Sequence, residues 1–162
     1  MKKKVVSFTL AVMLLLIPIS TALASSPNES EWGNFPFLRS GRSGYPVRAL
    51  QKALMGSYLQ CYLKLDSAGG ADGSFGPKTE EAVIYFQEQK GLTPDGLVGK
   101  NTWKALSHYV YFSGTYENGY PLYKVRNMPG SSSWSIAYKR MSSTHWQYRK
   151  TPASSWNDIV NK

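Results

Sequence analysis

Cysteine, histidine and, over the final third, acidic residues are what this sequence has least of. In 162 residues it holds one cysteine, Cys61, and two histidines, His108 and His145. A single cysteine closes no internal disulfide, so the stability of the fold has to come from packing. Cys61 is then either a small buried hydrophobe or a link to a second chain. Thiol catalysis wants a cysteine beside a histidine, and no cysteine follows Cys61. A catalytic zinc generally takes three protein ligands, and the two histidines stand 37 residues apart. The nucleophile motif Ser-x-x-Lys is absent throughout. From Tyr109 to Lys162 the carboxylates are Glu117 and Asp158 alone, which leaves the paired acids of a glycosidase little to draw on. No catalytic set, metal site or cofactor is expected.

A membrane-length apolar run is missing too. Spanning a bilayer takes about 20 apolar residues. The longest run, from Val5 to Ile19, is shorter and contains Ser7 and Thr9. It follows Lys2, Lys3 and Lys4 and leads through Pro18 and Ser20 to the small residues of Ala22-Leu23-Ala24. That order of basic, apolar and small segments is that of a secretory signal peptide, with cleavage expected after Ala24. No cysteine near that point would carry a lipid. Residues 1–24 are thus expected to be a leader, residues 25–37 a linker broken by Pro27, Gly33 and Pro36, and the product to be secreted with no membrane contact after cleavage.

Charge is unevenly spread over what remains. From Ser25 to His108 nine Lys/Arg face eight Asp/Glu, whereas from Tyr109 to Lys162 seven face two. The tail carries the excess, which favours an anionic partner.

The middle of the chain has helical periodicity. Pro46 suits a first helical position, Val47, Leu50 and Leu54 share a face, and Gly56 ends the helix. A second helix is expected from Pro77 to Gly91, with Ala82, Val83 and Phe86 inward. A third, short one should run from Asn101 to Ser107 with Trp103 and Leu106 inward. The segment also repeats itself. Asp72-Gly73-Ser74-Phe75-Gly76-Pro77-Lys78-Thr79 is echoed 23 positions later by Asp95-Gly96-Leu97-Val98-Gly99-Lys100-Asn101-Thr102, and Val47, Leu50 and Gln51 recur 36 positions later as Val83, Phe86 and Gln87. Asp-Gly favours a turn, since glycine accepts positive φ and aspartate bonds nearby backbone. Thr79 and Thr102 then fall in first helical turns, where free N–H groups attract anions. The same residues equally serve a purely structural purpose.

These residues, in this order, resemble the peptidoglycan-binding domain found beside bacterial wall hydrolases and transpeptidases. The resemblance runs from Leu38 to Leu106: Leu38-x-x-Gly41-x-x-Gly44-x-x-Val47-x-x-Leu50-Gln51, the first Asp-Gly-x-Phe-Gly-x-x-Thr, Ala82-Val83-x-x-Phe86-Gln87, Gly91-Leu92, and the second loop closing on Thr102-Trp103. The chain departs from the family between Leu54 and Asp72, where it holds several residues more, among them Tyr58, Cys61, Tyr62 and Leu65. The resemblance implies a three-helix bundle over residues 38–108 that binds peptidoglycan without catalysis. Carboxylates would meet helix N-termini and sugars would meet aromatic faces. Asp72, Phe75, Thr79, Tyr85, Asp95 and Thr102 are the candidate contacts, although Phe75 can equally be core and Tyr85 a solvated helix residue. The competing class is a small wall hydrolase, or an accessory subunit of one.

Residues 109–162 resemble no family and hold eleven aromatics. Tyr109 to Phe112 and Tyr120 to Val125 favour strands around an Asn118-Gly119 hairpin turn. Trp134 to Tyr138 alternates as a further strand, and Trp156 to Val160 closes the chain as a helical turn or strand. The expected class is therefore α+β, a helical bundle followed by an aromatic, antiparallel β unit. Lys124, Arg126, Lys139, Arg140, Arg149 and Lys150 interleave with the rings. Either the pattern binds an anionic wall polymer such as teichoic acid, or a cell-wall enzyme, or the rings build a core beneath solvated cations. His145 beside Trp146 is structural or a sugar contact. Nucleic acid, which such a pattern also suits, is not expected as a partner outside the cell.

Overall fold

The structure is a computed structural model that describes residues 29–125, 137–142, 145–149 and 155–159. The expected leader, the segment 134–136 of the third expected strand, Arg126 and Lys150 lie outside the described residues.

Helices come first in the chain and strands follow: α1 (Glu29–Trp32), α2 (Tyr45–Met55), α3 (Leu59–Asp66), α4 (Pro77–Gln89) and α5 (Lys100–Ser107), then β1 (Val110–Glu117), β2 (Tyr120–Val125), β3 (Ala137–Arg140), β4 (Trp146–Tyr148) and β5 (Asn157–Ile159). The protein is α+β. α2 and α4 each carry a proline at the start, where a missing N–H costs nothing. Both bury the expected stripes: Val47, Leu50 and Leu54 on α2, and Ala82, Val83 and Phe86 on α4.

A three-helix bundle is not what forms. α3 occupies the stretch where residues beyond the family pattern were expected, starting after Tyr58 and burying only Cys61 and Leu65. The i, i+4 spacing of those two residues gives it a narrow inner stripe, and Lys64 reaches Glu81 of α4 at 3.2 Å. Cys61 is fully buried, with its Sγ 3.4 Å from the carbonyl of Ala82. Burial pushes the thiol up to about 11, against the opposing pull of Ser57 and Lys64. A thiol so enclosed and so weakly acidic is a core residue, not a bridge to another chain.

The expected linker also differs from expectation. α1 falls within it, and Trp32 and Phe35 are buried at 0% and 6% exposure. The Trp32 ring lies 5.9 Å from Trp103, 5.2 Å from Tyr138 and 5.9 Å from Trp146, so it touches α5, β3 and β4 together. Proline and glycine punctuation marks chain breaks but says nothing about the rings between them.

The five strands form one antiparallel meander in the order β1-β2-β3-β4-β5. Asn118 and Gly119 both have positive φ, 52° and 79°, as a two-residue primed turn requires. The closing segment is strand, not helix, and β4 was not expected at all. Tyr123, Tyr138, Trp146 and Tyr148 point into the shared core, and the Tyr138 hydroxyl donates to the carbonyl of Ala49 in α2 at 2.7 Å. Arg140 on β3 forms an ion pair with the buried Glu31 of α1, its Nε 2.7 Å from Oε2. Helices and sheet thus share one hydrophobic core.

Candidate functional site

The duplicated loops build the same hydrogen-bonded unit twice. In the first, the Gln51 side-chain amide donates to Asp72 Oδ1 at 2.8 Å, to the carbonyl of Ser74 at 3.0 Å and to Thr79 Oγ1 at 3.0 Å. Its Oε1 accepts from the N–H of Gly73 at 2.8 Å. In the second, Gln87 donates to Asp95 Oδ1 at 3.0 Å, to the carbonyl of Leu97 at 2.8 Å and to Thr102 Oγ1 at 3.2 Å, and accepts from the N–H of Gly96 at 3.0 Å. Each aspartate also accepts from the backbone two residues on, Ser74 at 2.8 Å and Leu97 at 2.9 Å. Gly73 and Gly96 hold φ of 87° and 72°, a region costly for a residue with Cβ. A Cβ on Gly73 would also stand 3.2 Å from the carbonyl oxygen of Gly44.

One strip of chain stitches the two units together. Leu38 exchanges hydrogen bonds with Val98 of the second loop, at 3.1 and 2.9 Å, while Arg42 and Gly44 bond Phe75 and Gly73 of the first, each at 2.8 Å. Leu38 and Gly44, six positions apart in the sequence pattern, thereby hold one loop each.

Each candidate residue has a definite place. Asp72 and Asp95 are exposed but hold their loops through Oδ1, and Thr79 and Thr102 are buried at 3% and 4%. Phe75 is 2% exposed; its assignment to a ligand surface is corrected, because the turn drives the ring into the core. Tyr85 is half-buried, edge-on to Tyr58 with centroids 6.1 Å apart. The candidates do not converge on one point. Asp95 and Thr102 share a groove, of about 430 Å³, with Phe37, Leu97, Lys100 and Asn101. Phe37, Lys100 and Asn101 were not singled out from the sequence; adjacency to the helix start was the available signal for the last two.

Electrostatics separate the two repeats. α4 and α5 are preceded by Gly76 and Gly99 with no side-chain cap, but α4 has the acid Glu80 in its first turn and α5 has none. The first-turn N–H groups of α5 and Lys100 place positive charge on the second groove, and Asp95 adds a carboxylate whose Oδ1 is held by Gln87 and the Leu97 N–H. At the first loop, burial raises the pKa of Asp72, but the Ser74 N–H, the Gln51 amide and Arg48 outweigh it and hold the carboxyl below its usual range. A carboxyl depressed on folding contributes stability above its unfolded pKa, about 3.9, and loses it as pH falls through the folded value. The wild type should therefore lose melting temperature as pH falls below about 4. Asp72→Asn should flatten that slope in thermal melts without abolishing it, since Asp158 and Glu81 are also lowered, chiefly by hydrogen bonds from His145 and Lys78 respectively.

Among the described residues, three of the tail's cations are engaged within the molecule. Lys139 Nζ and Arg149 Cζ each lie 4.4 Å from the Trp156 ring centroid, Arg149 pairs with Glu117 at 3.0 Å, and Arg140 is held by Glu31.

Residues 43–106 match the model of the putative peptidoglycan binding domain. Residues 43–106 belong to the peptidoglycan-binding domain family. The chain is 41% identical over 92 residues to an uncharacterised protein of Kitasatospora aureofaciens, covering 55% of this chain and 73% of that one. It is 37% identical over 86 residues to a probable N-acetylmuramoyl-L-alanine amidase of Bacillus licheniformis, covering 52% of this chain and 22% of the amidase. It is 34% identical over 98 residues to the zinc D-Ala-D-Ala carboxypeptidase of Streptomyces albus G, covering 59% and 36%. What it shares with both named enzymes is a minor part of their length. No three His, Cys, Asp or Glu side chains among the described residues stand close enough to hold a metal, and no described helix is long and apolar enough to cross a membrane.

Proposed function

We propose that this protein is exported through its first 24 residues and acts outside the cell as a non-catalytic peptidoglycan binder. One observation carries the reading: the family match falls on the unit formed by the two glutamine-centred loops. The second-loop groove takes a stem-peptide carboxylate, with Lys100 and the start of α5 as its anion-attracting side and Phe37 and Leu97 as its apolar side. The stretch shared with the amidase and the carboxypeptidase is read as a targeting module borrowed without the enzyme. The engagement of Lys139, Arg140 and Arg149 inside the fold favours peptidoglycan itself over an anionic wall polymer.

The mature chain should sediment with purified insoluble peptidoglycan and leave the turbidity of the suspension unchanged. Lys100→Glu should weaken retention by about tenfold, since it reverses a charge at a helix start. Walls stripped of teichoic acid should retain the protein as well as intact walls. Falling turbidity with release of new reducing ends or free amines would turn the reading into that of a small hydrolase. A chain that stayed in the supernatant would end it.

A further inference from the structure

A second and larger groove, of about 720 Å³, lies where the helical unit meets the sheet. Phe37 and Tyr45 contribute from the helical side, and Gln147, Trp156, Asn157 and Asp158 from the last two strands and the approach to β5. Its two sides differ in chemistry. On the first, the rings of Phe37 and Tyr45 are 51% and 48% exposed, unusual for side chains of this size with a core close by. On the second, the polar groups are already fixed in place. Asp158 Oδ1 takes a hydrogen bond from Gln147 at 2.9 Å and lies 2.8 Å from His145 Nε2, and Asn157 is tied to the carbonyl of Ser155 at 3.0 Å. Trp156 donates to Glu117 at 3.1 Å and carries two cations on its ring, so it forms a rigid wall and leaves the stacking surfaces to Phe37 and Tyr45.

Flat apolar rings facing preset amides and a carboxylate complement a sugar ring, which has an apolar C–H face and polar hydroxyl and acetamido edges. Among the described residues one cation, Arg42, and one carboxylate, Asp158, line the groove, and Lys139 and Arg149 behind it are taken up by the Trp156 ring and, for Arg149, by Glu117, so the lining itself favours a neutral polymer. Fixed side chains on a rigid junction also reduce the ordering cost that weakens binding of flexible glycans. Phe37 lines both this groove and the second-loop groove. A single branched ligand, with a sugar backbone and a peptide arm, could therefore lie across it.

We infer that this junction groove is a glycan site that holds a short stretch of neutral, N-acetylated sugar chain against Phe37 and Tyr45. The choice of an N-acetylated sugar rests on the peptidoglycan reading above; the complementarity to a sugar ring does not. The inference also gives the β unit a role in binding, as one wall of the site.

Calorimetry on the mature chain tests it, with a peptide-free N-acetylglucosamine tetrasaccharide and a sugar-free stem pentapeptide as separate probes. The wild type should bind both. Tyr45→Ala and Tyr45→Leu should each weaken the tetrasaccharide by about tenfold, because an aliphatic chain keeps bulk but not the flat face. Phe37→Ala should weaken both probes, as befits a ring shared by the two grooves. Both aromatics are half-exposed, so melting temperatures should stay near wild type and report correct folding. A wild type blind to the tetrasaccharide yet retained on peptidoglycan would overturn the glycan site and leave the wall-binding reading standing. Tetrasaccharide binding equal in Tyr45→Ala and wild type would overturn it as well. Tetrasaccharide binding that depends on Tyr45, in a protein that ignores insoluble peptidoglycan, would uphold the groove and remove the wall as its target.

Discussion

Trp32→Ala is expected to lower stability by about 4 kcal/mol, the usual cost of emptying a buried tryptophan site. The residue is fully buried and packs on Phe35, Trp103, Tyr138 and Trp146, with centroid distances between 5.0 and 5.9 Å. Those partners belong to α5, β3, β4 and the strip after α1, so no single element can shift to close the gap. The neighbouring Glu31–Arg140 pair ties the same turn of helix to β3, and loosening α1 would leave that carboxylate buried without its partner. Urea denaturation followed by far-ultraviolet circular dichroism checks the loss. A change below about 0.5 kcal/mol, typical of a surface position, would mean that residues 29–37 are a linker after all.

Gln87→Ala should cost about 3 kcal/mol. Its side chain is 2% exposed and makes four hydrogen bonds that close the second loop. Truncation leaves the Gly96 N–H without its acceptor and reduces the Leu97 carbonyl and the Thr102 hydroxyl to their mutual 3.3 Å contact, at about 1–3 kcal/mol for a buried group left unsatisfied. The Gln87→Glu variant is the sharper test. It keeps an acceptor for Gly96 but places a carboxylate against Asp95, so it should be at least as unstable at neutral pH and recover in acid as one of the two protonates. Thermal melts of both variants across pH separate loss of hydrogen bonds from like-charge repulsion. If Gln87→Glu were no more sensitive to pH than wild type, the contact between residues 87 and 95 would not exist in solution.

Gln51 and Gln87 explain why the duplicated pattern has two offsets. The Asp-Gly and Thr positions repeat at 23 residues and the helical Val, Leu/Phe and Gln positions at 36, because α3 is inserted in the first unit but not the second. Both glutamines nonetheless reach an aspartate and a threonine in the same way. The insertion lengthens the path between helix and loop without changing where they meet. The aspartates and threonines singled out from the sequence thus hold the loops, and Asp95 and Thr102 also line the second-loop groove beside Phe37, Lys100 and Asn101.

The family, the three longer-range helical stripes and the Asn118-Gly119 hairpin were legible in the residues themselves, because periodicity and turn chemistry are local. A proline at a helix start or two residues with positive φ mean the same thing whatever surrounds them. α3 was hidden because its buried stripe is only Cys61 and Leu65, while Leu59 and Leu63 of the same helix stay exposed. Its apolar spacing therefore gave no usable period. Whether Trp32 is linker or core, whether Phe75 faces ligand or interior, and whether Tyr45 and Asp158 share a groove depend on contacts between residues tens of positions apart. Composition and spacing are identical in either case. Only the packing of α1 and the sheet onto the bundle decides them, because burial and proximity are properties of the assembled chain and not of any window along it.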